Sequence, residues 1–377
     1  MPTLPVRKPD QKQRVLVYLF GSLGDSIVAI PALRAVRRHF PNAEIVILHD
    51  FASTKLVAAS EVIPSQLFDR HMSYGSTAQG ARRALDFYEL LRRIRAEKFD
   101  AAVYAVMSER PPRSVIRDKY FFRACGIKAL YGFHAIPPEK LWPVDADGHP
   151  GVSDHEAEFR LARLSIDGIK TEPQSDLQTP LFEFSREALA LVDSWLRERR
   201  KKPGVPLYSI APGCKTEANL WPLENFVDIG KRLLAKYDCE IMITGGPAEF
   251  ETAERLALAL GTDLNAAGAF AVHTSSALMS RSHLHIGLDT GTTHLAAAAG
   301  TSCFAIFGER NNPGAWYPLG QGHTIVYHRV PCAKCKTQIC PIRDHPCMLG
   351  ISADAVWTHL DRALSSPNKN GIEVVAV

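Results

Sequence analysis

A chain of 377 residues is long enough for two domains, each burying its own core. With 46% hydrophobic and 22% charged residues, no apolar run of the roughly 18 residues that span a bilayer, and a polar start over residues 1–14 that lacks a signal-peptide core, the chain reads as a cytoplasmic globular protein. A formal net charge of +4 is too small to argue for a nucleic-acid partner.

The first predicted element is a strand over residues 14–20, an apolar run that ends in Gly21-Ser22-Leu23-Gly24-Asp25. A helix is predicted at once over 25–39, with Ile27, Ile30, Leu33 and Ala35 at helical spacing. Such a strand–turn–helix lets a backbone approach a ligand closely and leaves one carboxylate, Asp25, at its mouth. The turn is not G-x-G-x-x-G, so a nicotinamide dinucleotide loses its main support. Asp25 is then either a general base or a helix N-cap. A second strand is predicted over 43–48, then an amphipathic helix over 82–98 with Phe87, Leu90, Leu91 and Ile94 on one face. Its basic back, with Arg82, Arg83, Arg92, Arg93 and Arg95, is a solvated surface or a rest for anionic phospholipid or an anionic acceptor. A buried strand over 99–106, a helix over 118–125 and a strand over 128–133 follow.

After a helix over 185–199 and a charged linker over 199–204, the alternation restarts. Strands are predicted over 206–211, 240–244, 283–288 and 303–307. Helices are predicted over 223–237, 248–260, 273–281, 292–299 and 352–364. Alternation of this kind implies parallel, doubly wound sheets. Two α/β domains are expected, residues 1–184 and 185–377, with a ligand in the cleft between them. The second-half strands end in turns suited to phosphate: Pro212-Gly213-Cys214-Lys215, Gly245-Gly246-Pro247, Asp289-Thr290-Gly291-Thr292-Thr293-His294 and Gly308-Glu309-Arg310. In the third of these, amides and hydroxyls meet a helix dipole that favours a diphosphate; the alternative is a capped turn around a buried Asp289. His294 either steadies a phosphate or packs under the helix. No Walker A sequence and no G-x-S-x-G elbow occurs, which disfavours ATP-dependent phosphoryl transfer and a hydrolase triad. Of eight cysteines, Cys332, Cys335, Cys340 and Cys347 crowd into C-x2-C-x4-C-x6-C, which has the ligand count of a structural zinc site or is a set of reduced loop thiols.

Taken in order, these motifs resemble the bacterial heptosyltransferases, glycosyltransferase family 9. The resemblance rests on Gly24-Asp25 with Pro31-Ala32-Leu33-Arg34-Ala35, Pro212-Gly213 with Trp221-Pro222 and Phe226, the Gly245-Gly246-Pro247 turn, Asp289-Thr290-Gly291 with His294, and Phe307-Gly308. It implies the GT-B architecture, two Rossmann-like domains facing across a cleft, the first binding acceptor and the second a nucleotide sugar. It implies inverting transfer, with no cofactor or metal required, from a nucleoside-diphosphate donor, typically ADP-heptose, to a lipid-linked acceptor of lipopolysaccharide-core type at the inner face of the inner membrane. Asp25 matches the family's catalytic base, and Ser22 and Gly24 lie beside it toward the acceptor. Asp289, Thr290, Gly291, Thr292 and His294 match the donor-phosphate turn, joined by Gly245 and Gly246, with Glu249 or Glu251 at the ribose. The family usually carries a lysine just upstream of Trp-Pro, where this chain has Asn219-Leu220, so Lys215 or Arg310 would have to supply that charge. The 312–318 loop also departs from the family's usual Gly-Pro-Thr-Asp-Pro. The alternatives are transfer of a different nucleotide sugar to another glycan, or a nucleotide-sugar binder without catalysis.

Overall fold

Short apolar strands joined through helices can pair only in parallel, and parallel strands must be covered on both faces. The computed structural model, which describes residue 2 and residues 12–50, 61–75, 80–367 and 371–377, builds two such sheets. The first takes β1 (Arg14–Leu19), β2 (Glu44–Asp50), β3 (Arg70–Tyr74), β4 (Ala101–Tyr104) and β5 (Ala129–Tyr131) in the order β3-β2-β1-β4-β5. Its helices are α1 (Leu23–His39), α2 (Gly80–Glu97), α3 (Pro112–Ala124), α4 (Pro138–Leu141), α5 (Glu156–Ile166) and α6 (Pro173–Asp176). Val15, Leu16, Val17, Ile45, Val46 and Ile47 are wholly buried, as a strand covered on both faces requires.

The second sheet has the order β11-β10-β9-β8-β6-β7. In chain order its elements are α7 (Arg186–Arg199), β6 (Leu207–Ile210), α8 (Leu223–Lys236), β7 (Glu240–Ile243), α9 (Phe250–Leu260), α10 (Val272–Met279), β8 (Leu284–Leu288), α11 (Gly291–Ala298), β9 (Cys303–Phe307), β10 (His323–Tyr327), α12 (Pro346–Leu349), α13 (Ala353–Ser365) and β11 (Ile372–Ala376). A single parallel bridge from Ile243 to Asn265 extends the β7 edge. Trp221, Phe226, Ile229 and Leu233 pack its core from α8 and the turn before it.

Both sheets reverse their strand order once, between β1 and β4 and between β6 and β8, and ligands of such sheets bind at that crevice beyond the carboxyl ends of the strands. The chain divides at Leu177/Gln178 into two compact units, with Val144–Val152 belonging to the second, where the sequence placed the boundary at 184/185. The predicted α/β alternation is present. Helix α3 begins at Pro112, six residues before the expected start; Pro112 sits in the first turn, where N–H groups have no intrahelical partner and its fixed φ suits the helix. Strands β3, β10 and β11 and helix α5 were not anticipated. Among the described residues no helix is long and apolar enough to cross a membrane.

Candidate active site

In the first unit the site is built at the β1–α1 turn. Gly21 has φ +128°, and a Cβ there would lie 2.3 Å from Asp25 Cγ, so only glycine allows the turn to close over this carboxyl group. Ser22, in extended conformation, is the N-cap of α1. Asp25 is therefore not the cap itself. It stands three residues in and reaches back, its Oδ2 accepting from Ser22 N–H (2.7 Å) and Ser22 Oγ–H (3.0 Å), in the reciprocal manner of a capping box. Asp25 is only 8% exposed, and its other oxygen, Oδ1, is buried with no hydrogen-bond partner. Burial raises its pKa above the ordinary aspartate value, while the Arg160 charge and the Ser22 donors pull it back.

Arg160 was not anticipated from sequence. It is fully buried on α5, donates from Nη1 to the Asp25 backbone carbonyl (2.8 Å), and pairs through Nε with Glu156 one turn earlier (2.9 Å). Glu156 Oε1 also accepts from Ser108 N–H (2.8 Å) and Ser108 Oγ–H (3.1 Å). Glu-x-x-x-Arg on a helix usually marks a solvated pair. The only hint of burial is that Phe159, Leu161 and Leu164 make this helix apolar on more than one side.

The second unit gathers its polar turns at the carboxyl ends of β6, β7, β8 and β9. The turn after β8 is held by neutral groups. Asp289 Oδ2 accepts from Asn219 Nδ2 (3.2 Å) and Asn311 Nδ2 (2.9 Å), and its backbone carbonyl accepts from Asn219 Nδ2 (3.2 Å) and Cys214 Sγ (3.5 Å). Part of Asp289 reaches the surface of the turn, yet enclosure of its carboxylate pushes its pKa up to about 6, against the Asn311, Arg310 and Asn219 contributions that lower it. Thr290 is the N-cap of α11. Hydrogen bonding into this turn begins with Thr293 N–H and His294 N–H, both to Thr290 O, which leaves the Gly291 and Thr292 amides at the helix's open, electropositive end. Thr293 Oγ1 turns inward to Leu288 O (2.7 Å), whereas Thr292 Oγ1 is buried without a partner. His294 is buried, its ring 6.5 Å from that of Trp316.

Arg310 follows β9. It donates from Nε to Thr337 O (2.9 Å), from Nη2 to Lys336 O (3.2 Å) and from Nη1 to Asn311 Oδ1 (3.3 Å), all uncharged acceptors. Glu249 folds over the glycines: a Cβ on Gly213 would meet its Cγ at 2.2 Å, one on Gly245 its Cβ at 3.1 Å, and one on Gly246 its Oε2 at 2.8 Å. Glu251, one residue into α9, is exposed, as is Lys215. Asn219 and Asn311 are the site residues missed in the sequence; the only signal was that Asn219 occupies the usual lysine position.

Cys332, Cys335, Cys340 and Cys347 line one cavity of about 10 Å³, and none of the four is in a disulfide. Among the described residues no group of three or more His, Cys, Asp or Glu side chains is arranged to hold a metal ion. Cys347 is buried beneath Gly308, whereas Cys335 is exposed and lies 3.3 Å from Thr337 Oγ1.

Two parallel sheets with glycine turns at the carboxyl ends of their strands, in this order along the chain, define a GT-B type α/β glycosyltransferase. The family description "Glycosyltransferase family 9 (heptosyltransferase)" matches residues 141–345, and the chain belongs to that family. It is 24% identical to lipopolysaccharide heptosyltransferase 1 of Pseudomonas aeruginosa, over 94% of this chain and 99% of that protein. The fold is similar to that of the family 9 glycosyl transferase of Veillonella parvula (TM-score 0.64, 18% identity, 94% of this chain and 96% of that one). It is equally similar to that of E. coli ADP-heptose lps heptosyltransferase II (TM-score 0.63, 17% identity, 94% and 99%).

Two variants test this geometry. Ser22→Ala removes one donor to Asp25 Oδ2 and the cap of α1. It should move the acid limb of the kcat/KM profile to higher pH, since an acceptor-only carboxylate that loses a donor holds its proton more tightly, and should cost about 1 kcal/mol of stability. Gly213→Ala should displace Glu249 and weaken nucleotide-sugar binding by calorimetry while the far-ultraviolet circular dichroism stays unchanged.

Proposed function

We propose that this glycosyltransferase moves a sugar, with inversion, from a nucleoside-diphosphate donor of ADP-heptose type to an acceptor hydroxyl of a lipopolysaccharide-core-type glycan, with Asp25 as general base. The observation that carries this is the division of labour between its two oxygens: Oδ2 is committed to Ser22, and Oδ1, though buried, has no hydrogen-bond partner. Oδ1 takes the acceptor proton as the acceptor oxygen forms its bond to the anomeric carbon. The bond from that carbon to the diphosphate breaks with its electron pair on the leaving oxygen, so the configuration inverts. No cofactor or metal enters these steps.

The charge that develops on the diphosphate needs donors fixed in advance. The Gly291 and Thr292 amides, the unpartnered Thr292 hydroxyl and the Arg310 guanidinium supply them, with Thr290 capping the helix and His294 packed beneath it. Glu249, seated over Gly213, Gly245 and Gly246, suits the ribose hydroxyls better than exposed Glu251. Ser22 and Gly24 shape the acceptor side of the Asp25 turn. A different nucleotide sugar is the second reading, favoured by Asn219 in the place of the usual lysine; a panel of ADP-, UDP- and GDP-linked sugars in a thermal-shift assay separates the two. On α2 and α3, Leu85, Tyr88, Ile116 and Tyr120 are exposed among Arg82, Arg92, Arg113 and Lys119, which supports peripheral contact with an anionic membrane at the cytoplasmic face.

Asp25→Asn is the decisive variant. Turnover, read as nucleoside diphosphate released with donor and acceptor present, should fall by about 10²–10⁴-fold. Because the folded-state pKa of Asp25 lies above its unfolded value, ionising it opposes folding as pH rises through that interval. The melting temperature near neutrality should therefore hold or rise. Near-normal turnover would reduce Asp25 to a capping residue.

A further inference from the structure

Helix α5 carries charge where a face turned to the core is ordinarily apolar. Glu156, Arg160 and Arg163 recur at i, i+4 and i+7, on one face of the helix, and each is only 1% exposed. Burying three charges is costly, and well-packed hydrophobic side chains of similar volume often serve stability as well or better. Stability alone does not explain this face, but its contacts do. Arg160 Nη1 donates to the Asp25 carbonyl (2.8 Å), Arg163 Nη2 donates to the Val106 carbonyl, and Glu156 Oε1 accepts from Ser108 N–H and Oγ–H. Val106 and Ser108 follow β4, so the three side chains join α5 to the carboxyl end of β4 and to the turn that holds Asp25.

Glu156 Oε1 receives a third donor from Arg160 Nε (2.9 Å), the pattern of an ionised carboxylate; burial pushes its pKa up, and Arg160, Arg163 and Ser108 pull it back. Burial brings the Arg163 pKa down to about 10, which leaves it protonated at neutral pH. Elsewhere around α1 the charges are matched or lie at its other end. Arg37 pairs with Asp69, Arg38 pairs with Asp176 of α6, Arg34 donates to the Asp176 carbonyl, and His39 ends the helix. After β4, Arg110 pairs with Asp118, with Glu109 partly exposed beside it, and Glu158 of α5 is exposed and accepts from His155 N–H. The turn over 65–67 that packs on α1 carries no titratable group, and His49 of β2 lies opposite Leu19 in register.

We propose that Glu156 and Arg160 are positioning residues that set the proton affinity of Asp25. With Asp25 ionised, the buried groups Asp25, Glu156, Arg160 and Arg163 balance in charge. Once Asp25 holds the acceptor's proton they carry a surplus positive charge, which favours passing that proton to water after the product leaves. Arg160 acts through the main chain and leaves Oδ1 without a partner, while Glu156 limits how far the guanidinium acidifies the carboxyl group. This rests on the reading of Asp25 as general base.

The test titrates the Asp25 carboxyl group by carbon NMR on the full chain, labelled at the aspartate side-chain carboxyl carbon; its signal is the one lost in Asp25→Asn. Glu156→Gln keeps an acceptor oxygen for Ser108 and Arg160 but removes the negative charge, and should move the Asp25 midpoint about one pH unit down. Arg160→Met should move it about as far up, and Arg160→Lys, which keeps the charge, should hold it near wild type. His49 is present in every variant, so its own titration cancels in the comparison. The acid limb of the kcat/KM profile should follow the midpoint each time. A purely structural role would not send the midpoint in opposite directions for substitutions of opposite charge. If Arg160→Met does not fold, Glu156→Gln and Arg160→Lys decide. A midpoint that is unchanged or raised in Glu156→Gln, lowered in Arg160→Met, or raised by about one pH unit in Arg160→Lys overturns the proposal. A midpoint that moves as stated without the acid limb leaves the tuning in place and sinks the reading of Asp25 as base.

Discussion

A carboxylate that is buried and still able to take a proton is the constraint on which the first unit depends. Removing Asp25 from water raises the cost of its ionised form, and a direct guanidinium contact would offset that cost most simply. The same contact would occupy the oxygen that accepts the proton in the proposed reaction and would make it a poor base. The protein takes another route. Arg160 bonds to the Asp25 main-chain carbonyl, not to the carboxylate, so its charge acts from one peptide group away. Glu156 then tempers Arg160, and Ser108 fixes Glu156. Gly21 completes the arrangement by omitting the one carbon that would collide with Asp25. Capping and the proposed general-base role are thus compatible uses of one side chain, because they fall on different oxygens.

The second unit meets the opposite requirement. On the proposed reading an anion is drawn to the start of α11, so the acid in that turn must not advertise its charge. Asp289 is enclosed, its pKa is pushed up to about 6, and its oxygen is met by two carboxamides. A lysine at position 219 would pair with Asp289 or with the incoming phosphate. Asparagine does only the first job, and does it without charge. The positive charge near the turn then comes from Arg310, whose hydrogen bonds go to uncharged oxygens and leave its charge uncancelled by a contact ion pair.

Much of this could be read before any coordinates. The apolar strands β1, β6, β8 and β9 and the glycine turns that follow them were legible because burial on both faces leaves a continuous hydrophobic run, and tight turns demand glycine. Edge strands such as β3, with the sequence RHMSY, were not, since an edge carries no such run. Asp25 was legible as a candidate, but its two roles looked like rivals, because a sequence cannot assign partners to individual oxygens. Arg160, Glu156 and Asn311 were invisible for a related reason: each acts on a residue 22 to 135 positions away or on a partner so placed, and only the parallel topology brings them together.

The cysteine-rich segment draws its significance from the same topology. Its main-chain groups are occupied in holding neighbours. Lys334 N–H and Lys336 N–H donate to the carbonyls of Glu309 and Arg310, while the carbonyls of Lys336 and Thr337 receive the Arg310 guanidinium. Ala218 N–H donates to Gln338 O, and His345 Nε2 lies 3.0 Å from Ala218 O, which fixes the residue before Asn219. Cys347 and Met348 close over Gly308, where a Cβ would come within 3.0 Å of the Met348 sulfur. The segment is therefore a strap across the turns that carry Arg310 and Asn219. A small, weakly polar side chain such as that of buried Cys347 suits such a strap, since it fills the narrow space beneath Gly308 without demanding hydrogen bonds that the backbone is already using.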